Sequence, residues 1–191
     1  MRGLGAAALV GLTACTEPTT DTSRSTDTSP TTTGPCEIED PGEGGADLGT
    51  GADFFEPLED GDDLLVVYGP QGGYHVDGSV RVRGVNPGNF RDLADPDNPL
   101  TSFVVETTDG EIVSGTGKTD DSGVISYRQG LDPTCLDGVY VMAGRRIFLD
   151  IDTDAELDGV PLVFTVTVEG VDGVTITESH AVTGVPSPFN D

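Results

Sequence analysis

The sequence predicts an all-β protein: an antiparallel β-sandwich of immunoglobulin-like architecture, preceded by a signal peptide and a disordered linker. The chain has 27 Gly and 13 Pro among 191 residues, which disfavours long helices. Short runs of β-branched and aromatic residues are separated by turn signals, a pattern typical of sandwiches. No stretch shows sustained helical periodicity. A closed barrel is the competing architecture.

The first element is an export signal at residues 1–14. Met1 to Cys15 reads MRGLGAAALVGLTAC, with a positive charge at Arg2 followed by small and apolar residues. This run is too short to span a hydrocarbon core of about 30 Å, and its order of charge, apolar run and small residues is that of a signal peptide. Its end, Leu-Thr-Ala-Cys, resembles the lipobox of bacterial lipoproteins. The resemblance implies cleavage before Cys15 and attachment of diacylglycerol to it.

The second element is a linker, residues 15–35. Thr, Ser and Pro fill 15 of the 20 positions from Thr16 to Pro35. Such a segment buries too little apolar surface to offset its chain entropy, so we expect a disordered tether between a lipid anchor and a folded domain. Thr16, rather than Asp, follows Cys15, which favours the outer membrane in Gram-negative sorting. Its periplasmic and external faces both stay open.

The third element is an acidic folded domain, residues 36–191. The chain carries 34 Asp and Glu against 9 Lys and Arg, a net charge of −25. This charge disfavours nucleic acid and anionic lipid surfaces as partners. It leaves a protein or glycan ligand, a cationic partner or a divalent ion.

Two cysteines of this domain, Cys36 and Cys135, form an even pair in an exported chain. Disulfides persist in such compartments, so the pair predicts a bridge, with two unpaired thiols as the alternative.

The strands of this domain follow from short apolar or alternating runs. Asp-Gly, a dipeptide suited to tight turns, occurs six times; Asp172-Gly173 predicts a hairpin, while Asp77-Gly78 lies inside a strand pattern and predicts a bulge. The predicted strands are Leu64–Tyr68, Tyr74–Val82, Thr101–Glu106, Glu111–Gly115, Val124–Arg128, Val139–Met142, Ile147–Asp152, Leu162–Glu169 and Val174–Val182.

An acidic segment suggests a calcium site. Its carboxylates at alternate positions are Asp150, Asp152, Asp154 and Asp158, and hard oxygen ligands at such spacing can surround one ion. An EF-hand would need Gly at its sixth position and Glu at its twelfth, where this chain has Ala155 and Pro161. A noncanonical calcium site and a solvated acidic loop are the two alternatives. Apart from calcium, no cofactor is predicted.

The string from Gly69 to His75, GPQGGYH, is the most distinctive in the chain. Its Gly-rich turn lets the backbone approach a ligand closely, which makes Gln71, Tyr74 and His75 candidate ligand-binding residues. His75, Asp77 and Ser79 share one face of the following strand. Same-face neighbours stand about 6.6 Å apart, too far for a hydrogen-bonded catalytic relay. The alternative is a turn followed by a polar strand face, with His75 hydrogen-bonded locally.

This string also carries a resemblance. Together with Phe54-Phe55-Glu56-Pro57-Leu58 and the lipobox, it is similar to a group of uncharacterised lipoproteins of myxobacteria. The resemblance implies export, lipidation and a sandwich fold, and it brings no catalytic residue.

The sequence therefore favours a lipid-anchored, noncatalytic protein that binds a ligand or has a structural role in the envelope. No catalytic residue is assigned. The two alternatives are a calcium-dependent adhesive module and a hydrolase-like enzyme with its site near His75, because carboxylates are abundant enough to supply an acid/base pair.

Overall fold

The computed structural model describes residues 44–115, 122–133, 135 and 138–190. The predicted signal peptide, Cys15, the linker and Cys36 lie outside these residues. The described strands are β1 (Gly45–Thr50), β2 (Glu56–Pro57), β3 (Asp63–Tyr68), β4 (Tyr74–Arg83), β5 (Leu100–Thr107), β6 (Ile125–Arg128), β7 (Val139–Leu149), β8 (Pro161–Glu169) and β9 (Thr175–Pro186), and a short 3-10 helix spans Asp154–Glu156.

These strands form one mixed, curled sheet. Their order is β2-β1-β4-β3-β9-β8-β5-β6, and β7 pairs with the other edge of β4. The curl brings β4 against β5, because a Cβ atom added at Gly78 would lie 3.0 Å from the ring of Phe103. The all-β prediction is confirmed.

The prediction of a purely antiparallel sheet is wrong at the pairing of β3 with β9, which is parallel. No tight turn joins these two strands, so neither direction is imposed by the connection. The segment before β3 sets the direction. Asp60 accepts a hydrogen bond from the N–H of Ala181, and the N–H of Gly61 donates to the carbonyl of Ala181, at 2.8 and 2.7 Å.

Inward side chains of both halves of the curled sheet form the core. The rings of Phe103 on β5 and Phe164 on β8 lie 5.9 Å apart, and both are fully buried. Strand β8 shows the alternation clearly, since Leu162, Phe164, Val166 and Val168 are buried and the residues between them are not. Each fully buried side chain of this size contributes about 1.5–3 kcal/mol relative to exposure.

Most predicted strands are present, with three differences. The predicted strand Glu111–Gly115 forms only isolated bridges at Ile112 and Ser114. The two runs predicted at 139–142 and 147–152 are one strand, β7. Strands β1 and β2 were not predicted, because GADLGT has few residues of high β propensity and β2 consists of two residues, Glu56 and Pro57.

The hairpin predicted at Asp172-Gly173 is confirmed, whereas the bulge predicted at Asp77-Gly78 lies on the partner strand β7. Asp172-Gly173 lies in the β8–β9 hairpin, where the N–H of Gly170 donates to the carbonyl of Val174 at 2.8 Å. The register of β4 against β7 shifts between Gly78 and Val80. The additional residue is on β7, where Gly144 adopts a φ of 66° that favours glycine.

Candidate functional site

The outer face of β4, a strand whose alternation predicts that it is half-buried, is largely buried as well. Residues 51–58, called the cover segment here, fold back over it. Arg81 is 1% exposed, its guanidinium lies 4.2 Å above the centre of the Phe55 ring, and it pairs with Asp47 of β1 at 2.7 Å. Strand β4 is therefore buried on both faces rather than half-buried, because the cover segment lies over its polar face.

Glycine lets the cover segment approach the sheet. A Cβ atom at Gly49 would lie 2.5 Å from the Phe55 ring, and one at Gly144 would overlap the carbonyl of Ala52. Ser79 completes the attachment, since its hydroxyl donates to the carbonyl of Gly51 at 3.2 Å and accepts from the N–H of Gly144 at 3.1 Å. The Ser79 hydroxyl therefore donates one hydrogen bond and accepts another, both with backbone groups.

His75 and Asp77 do not form a relay with Ser79. The Nε2 atom of His75 lies 4.0 Å from Oδ1 of Asp77, beyond hydrogen-bond range. Burial lowers the pKa of His75. The charge of Asp77 opposes this shift, and the charge of Arg146 adds to it. Burial likewise raises the pKa of Asp77, while His75 and Arg146 lower it. Burial thus disfavours the charged form of each group.

The three candidate ligand-binding residues are divided between the turn before β4 and the two faces of that strand. The N–H of Gly69 donates to the carbonyl of Gly73 at 2.9 Å, which closes a tight turn with Gln71 exposed at its tip. Tyr74 packs against the ring of Tyr68 with centroids 5.2 Å apart. His75 follows on the opposite face of β4, as strand alternation requires.

The second histidine, His180, lies on β9, which β3 separates from β4. Its Nδ1 atom is 3.4 Å from Oδ1 of Asp60, and its Nε2 atom is 3.9 Å from Oε1 of Glu178. The hydrogen bond from the N–H of Ala181 is the main cause that lowers the pKa of Asp60, and His180 adds to it. His180 lines a cleft of about 370 Å³ together with Arg81 and Asp47.

The acidic segment forms a local structure of its own. Oε1 of Glu156 accepts hydrogen bonds from the N–H groups of Asp152 and Thr153 at 2.9 and 2.7 Å, and Asp154 accepts one from the side chain of Asn190 at 2.7 Å. Among the described residues, no three His, Cys, Asp or Glu side chains converge on a metal position. The four predicted ligands Asp150, Asp152, Asp154 and Asp158 are not brought together, and calcium binding stays a prediction that a melting experiment with calcium and chelator can test.

Cys135 is disulfide-bonded and 8% exposed. Its predicted partner, Cys36, and the predicted lipidation site, Cys15, lie outside the described residues.

A cleft of about 680 Å³ opens between the cover segment, the loop after β4 and strand β7. Phe54 is 65% exposed and Phe90 is 41% exposed, so two large apolar rings of this cleft face solvent together. None of the cleft's residues was singled out from the sequence as a ligand site. We name it the phenylalanine cleft and define it by Phe54, Phe55, Phe90, Gln129, Asp132 and Arg145.

Both walls of the phenylalanine cleft are fixed by close backbone contacts. Gly144 admits Ala52, which positions the wall with Phe54. A Cβ atom at Gly130 would overlap the backbone of Asn89 and Phe90, so this glycine positions the opposite wall. The N–H of Leu131 donates to the carbonyl of Pro87 at 2.8 Å and strengthens that contact. The cleft is therefore preformed.

The polar lining of the cleft centres on Arg145. Its guanidinium lies 5.6 Å from the centre of the Tyr127 ring, whose hydroxyl donates to the carbonyl of Arg146 at 2.6 Å. Burial raises the pKa of Tyr127, while Arg145 and Arg146 lower it. The Nε atom of Arg145 is buried and has no hydrogen-bond partner among the described residues. The cleft thus offers aromatic rings beside a positioned cation, an amide and carboxylates.

No family model, curated protein or solved structure matches the chain. Within the ranges that the structure describes, there is also no helix capable of spanning a bilayer.

Proposed function

We propose that this chain is an exported lipoprotein, anchored through Cys15 to the outer membrane, whose acidic domain binds a ligand in the phenylalanine cleft. The signal sequence, the lipobox-like LTAC and the Thr/Ser/Pro linker stand in the order that such a protein requires. The disulfide at Cys135 suits the oxidising compartment outside the cytoplasm. Either face of the outer membrane agrees with these features.

We further propose that the curled sheet is a β-sandwich of immunoglobulin-like architecture. The approach of β4 to Phe103 of β5 supports two facing layers with a shared core. In this arrangement, the parallel pairing of β3 with β9 joins the layer that contains β4 to the layer that contains β8 and β5.

The observation that carries the binding function is the exposure of Phe54 and Phe90 in a preformed cleft. When a ligand covers exposed apolar rings in a concave site, the removal of their surface from water stabilises the complex by about 25 cal/mol per Å². The hydrolase-like site near His75 does not extend into this cleft, because His75 and His180 are absent from its described lining and the hydroxyl of Ser79 is held by backbone groups.

Lipid attachment is tested by expressing the full chain and its Cys15→Ser variant in a Gram-negative host with a labelled fatty acid. We expect label in the parent chain and in the outer-membrane fraction, and none in the variant. Label that persists in Cys15→Ser contradicts the anchor at this residue.

Ligand binding at the cleft is tested by probing glycan and peptide arrays with the full lipidated chain in detergent micelles. We expect that replacing Phe54 with Ala removes the observed binding. The matched control is Phe189→Ala, because Phe189 is 89% exposed and is not among the residues that line the cleft. Binding that survives Phe54→Ala unchanged contradicts the cleft as the site.

A further inference from the structure

We infer that the ligand of the phenylalanine cleft is a neutral saccharide. This inference rests on the proposed binding function and adds the chemical class of the ligand. Three properties of the cleft carry it: the charge of its surroundings, the geometry of its polar side chains and the state of its aromatic rings.

The charge of the molecule disfavours an anionic ligand. The chain has a net charge of −25, so its long-range field repels anions. Within the lining, the carboxylates of Asp53 and Asp132 outnumber the guanidinium of Arg145. The repulsion by the net charge of the chain acts on an anionic ligand and not on an uncharged one.

The aromatic rings disfavour a cationic ligand. The guanidinium of Arg81 already lies 4.2 Å from the centre of the Phe55 ring, and that of Arg91 lies 5.2 Å from the centre of the Phe90 ring. A ligand cation placed over either of these rings would meet a like charge across the ring, which weakens the cation–π attraction. This observation disfavours a basic side chain over the rings of Phe55 and Phe90.

The polar side chains of the cleft fit vicinal hydroxyl groups. Asp132, Gln129 and Arg145 end in planar groups that each carry two hydrogen-bonding atoms side by side. Such a group can bond two neighbouring hydroxyls of one sugar ring. Arg145 lines the cleft, so its guanidinium supplies hydrogen-bond donors there beside the amide of Gln129 and the carboxylate of Asp132.

The apolar part of a sugar ring fits the exposed phenyl groups. Its C–H bonds form a flat face of the kind that packs on an aromatic ring, and Phe54 and Phe90 stand on two separately fixed walls. Because glycine contacts hold both walls, little conformational entropy is lost on binding. The volume of about 680 Å³ lies within the usual range of ligand pockets and accommodates a short oligosaccharide.

The test is saturation-transfer NMR on the full lipidated chain in detergent micelles, with irradiation at the aromatic frequency. The neutral probes are cellotriose, maltotriose, xylotriose and chitotriose; the charged probes are sialyllactose and trilysine. We expect transfer to ring C–H protons of at least one neutral trisaccharide and weaker transfer to both charged probes. Phe54→Ala and Phe90→Ala are each expected to lower the affinity about tenfold, and Phe189→Ala to leave it unchanged.

The outcomes separate the ligand class from the binding function. Binding of trilysine or sialyllactose that depends on Phe54, without binding of a neutral probe, overturns the saccharide and keeps the cleft as a binding site. Transfer that is the same in the parent chain, Phe54→Ala and Phe90→Ala overturns both. Since Phe54 and Phe90 are exposed, the variants are expected to fold, and the dispersion of their amide spectra verifies it.

Discussion

Strands β4 and β8 show the same alternation of apolar and polar residues, yet their outer faces have opposite environments. On β4 the outward Ser79 and Arg81 are 0% and 1% exposed under the cover segment. On β8 the outward Thr165 and Thr167 remain accessible, and their hydroxyls bond across to Ser179 and Thr177 of β9 at 2.9 and 3.1 Å. Alternation therefore identifies a strand but not whether its polar face meets solvent.

The polar outer faces of β4 and β8 have different roles. On β8 and β9 the hydroxyl pairs satisfy one another at the surface. On β4 the polar side chains attach the cover segment, and that segment presents Phe54 to the phenylalanine cleft. A buried polar face thus positions a binding wall. The predictions below test this difference, beginning with the largest expected effect.

The largest effect is expected for the buried ion pair of β4. Arg81→Ala leaves the carboxylate of Asp47 without its cation and uncovers the Phe55 ring, so we expect a loss of about 3 kcal/mol in the free energy of unfolding. The measurement is urea unfolding of the full chain. The matched control is Arg146→Ala, an exposed arginine on β7, with an expected loss below about 1 kcal/mol. Equal losses would show that the cover segment does not bury Arg81.

The next effect concerns the contact that fixes the cover segment. Gly144 and Gly159 have similar φ values of 66° and 71°, but a Cβ atom would overlap Ala52 at Gly144 and meet nothing within 4 Å at Gly159. We expect Gly159→Ala to cost about 1 kcal/mol from backbone strain alone. Gly144→Ala should cost about 2–3 kcal/mol, because steric overlap adds to the strain. Thermal unfolding of both variants checks this, and equal melting temperatures contradict it.

A smaller effect compares two serines on the two faces. Ser79→Ala leaves the N–H of Gly144 without its acceptor in a covered position, so we expect a loss of about 1–2 kcal/mol. Ser179→Ala removes a hydroxyl bonded at the surface, with an expected change within about 0.5 kcal/mol. Urea unfolding measures both. If Ser179→Ala lowers the free energy of unfolding as much as Ser79→Ala does, the outer faces of β4 and β9 do not differ in burial as we describe.

The smallest effect is a dependence on pH that His75 introduces. Burial lowers its pKa in the folded state below the ordinary value of 6.5, so the unfolded chain binds the proton more readily. The contribution of neutral His75 to the free energy of unfolding is present above pH 6.5. It is lost as the pH falls through that value toward the lowered pKa of the folded state. We expect the unfolding free energy of the parent chain to decrease on this descent more steeply than that of His75→Gln. Parallel profiles contradict a buried, neutral His75.

The sequence predicted the strands whose composition is rich in β-branched residues and did not predict contacts between distant segments. Strand β8 was predicted at Leu162–Glu169 and spans Pro161–Glu169. Strand β1 was missed because GADLGT pairs through its backbone and packs through few side chains. The partner of Arg81 lies on this missed strand, so the ion pair that holds the outer face of β4 was also missed.

The phenylalanine cleft could not be predicted for a similar reason. Its walls come from residues near 54, 90, 130 and 145, which meet only through the tertiary fold. The one sequence signal was the adjacent pair Phe54-Phe55, of which the structure buries Phe55 and leaves Phe54 exposed in the cleft. In contrast, the glycines of GPQGGYH predicted a close approach of the backbone to a ligand, and in the structure they form a tight turn between β3 and β4.

The most direct test of the covered face is thiol reactivity in the folded full chain. Ser79→Cys places a thiol under the cover segment, and Ser179→Cys places one on the exposed face of β9. We predict that Ser79→Cys reacts with a maleimide on the order of a hundredfold more slowly than Ser179→Cys, because reaction requires the cover segment to open. Equal rates under native conditions would contradict the burial of the outer face of β4.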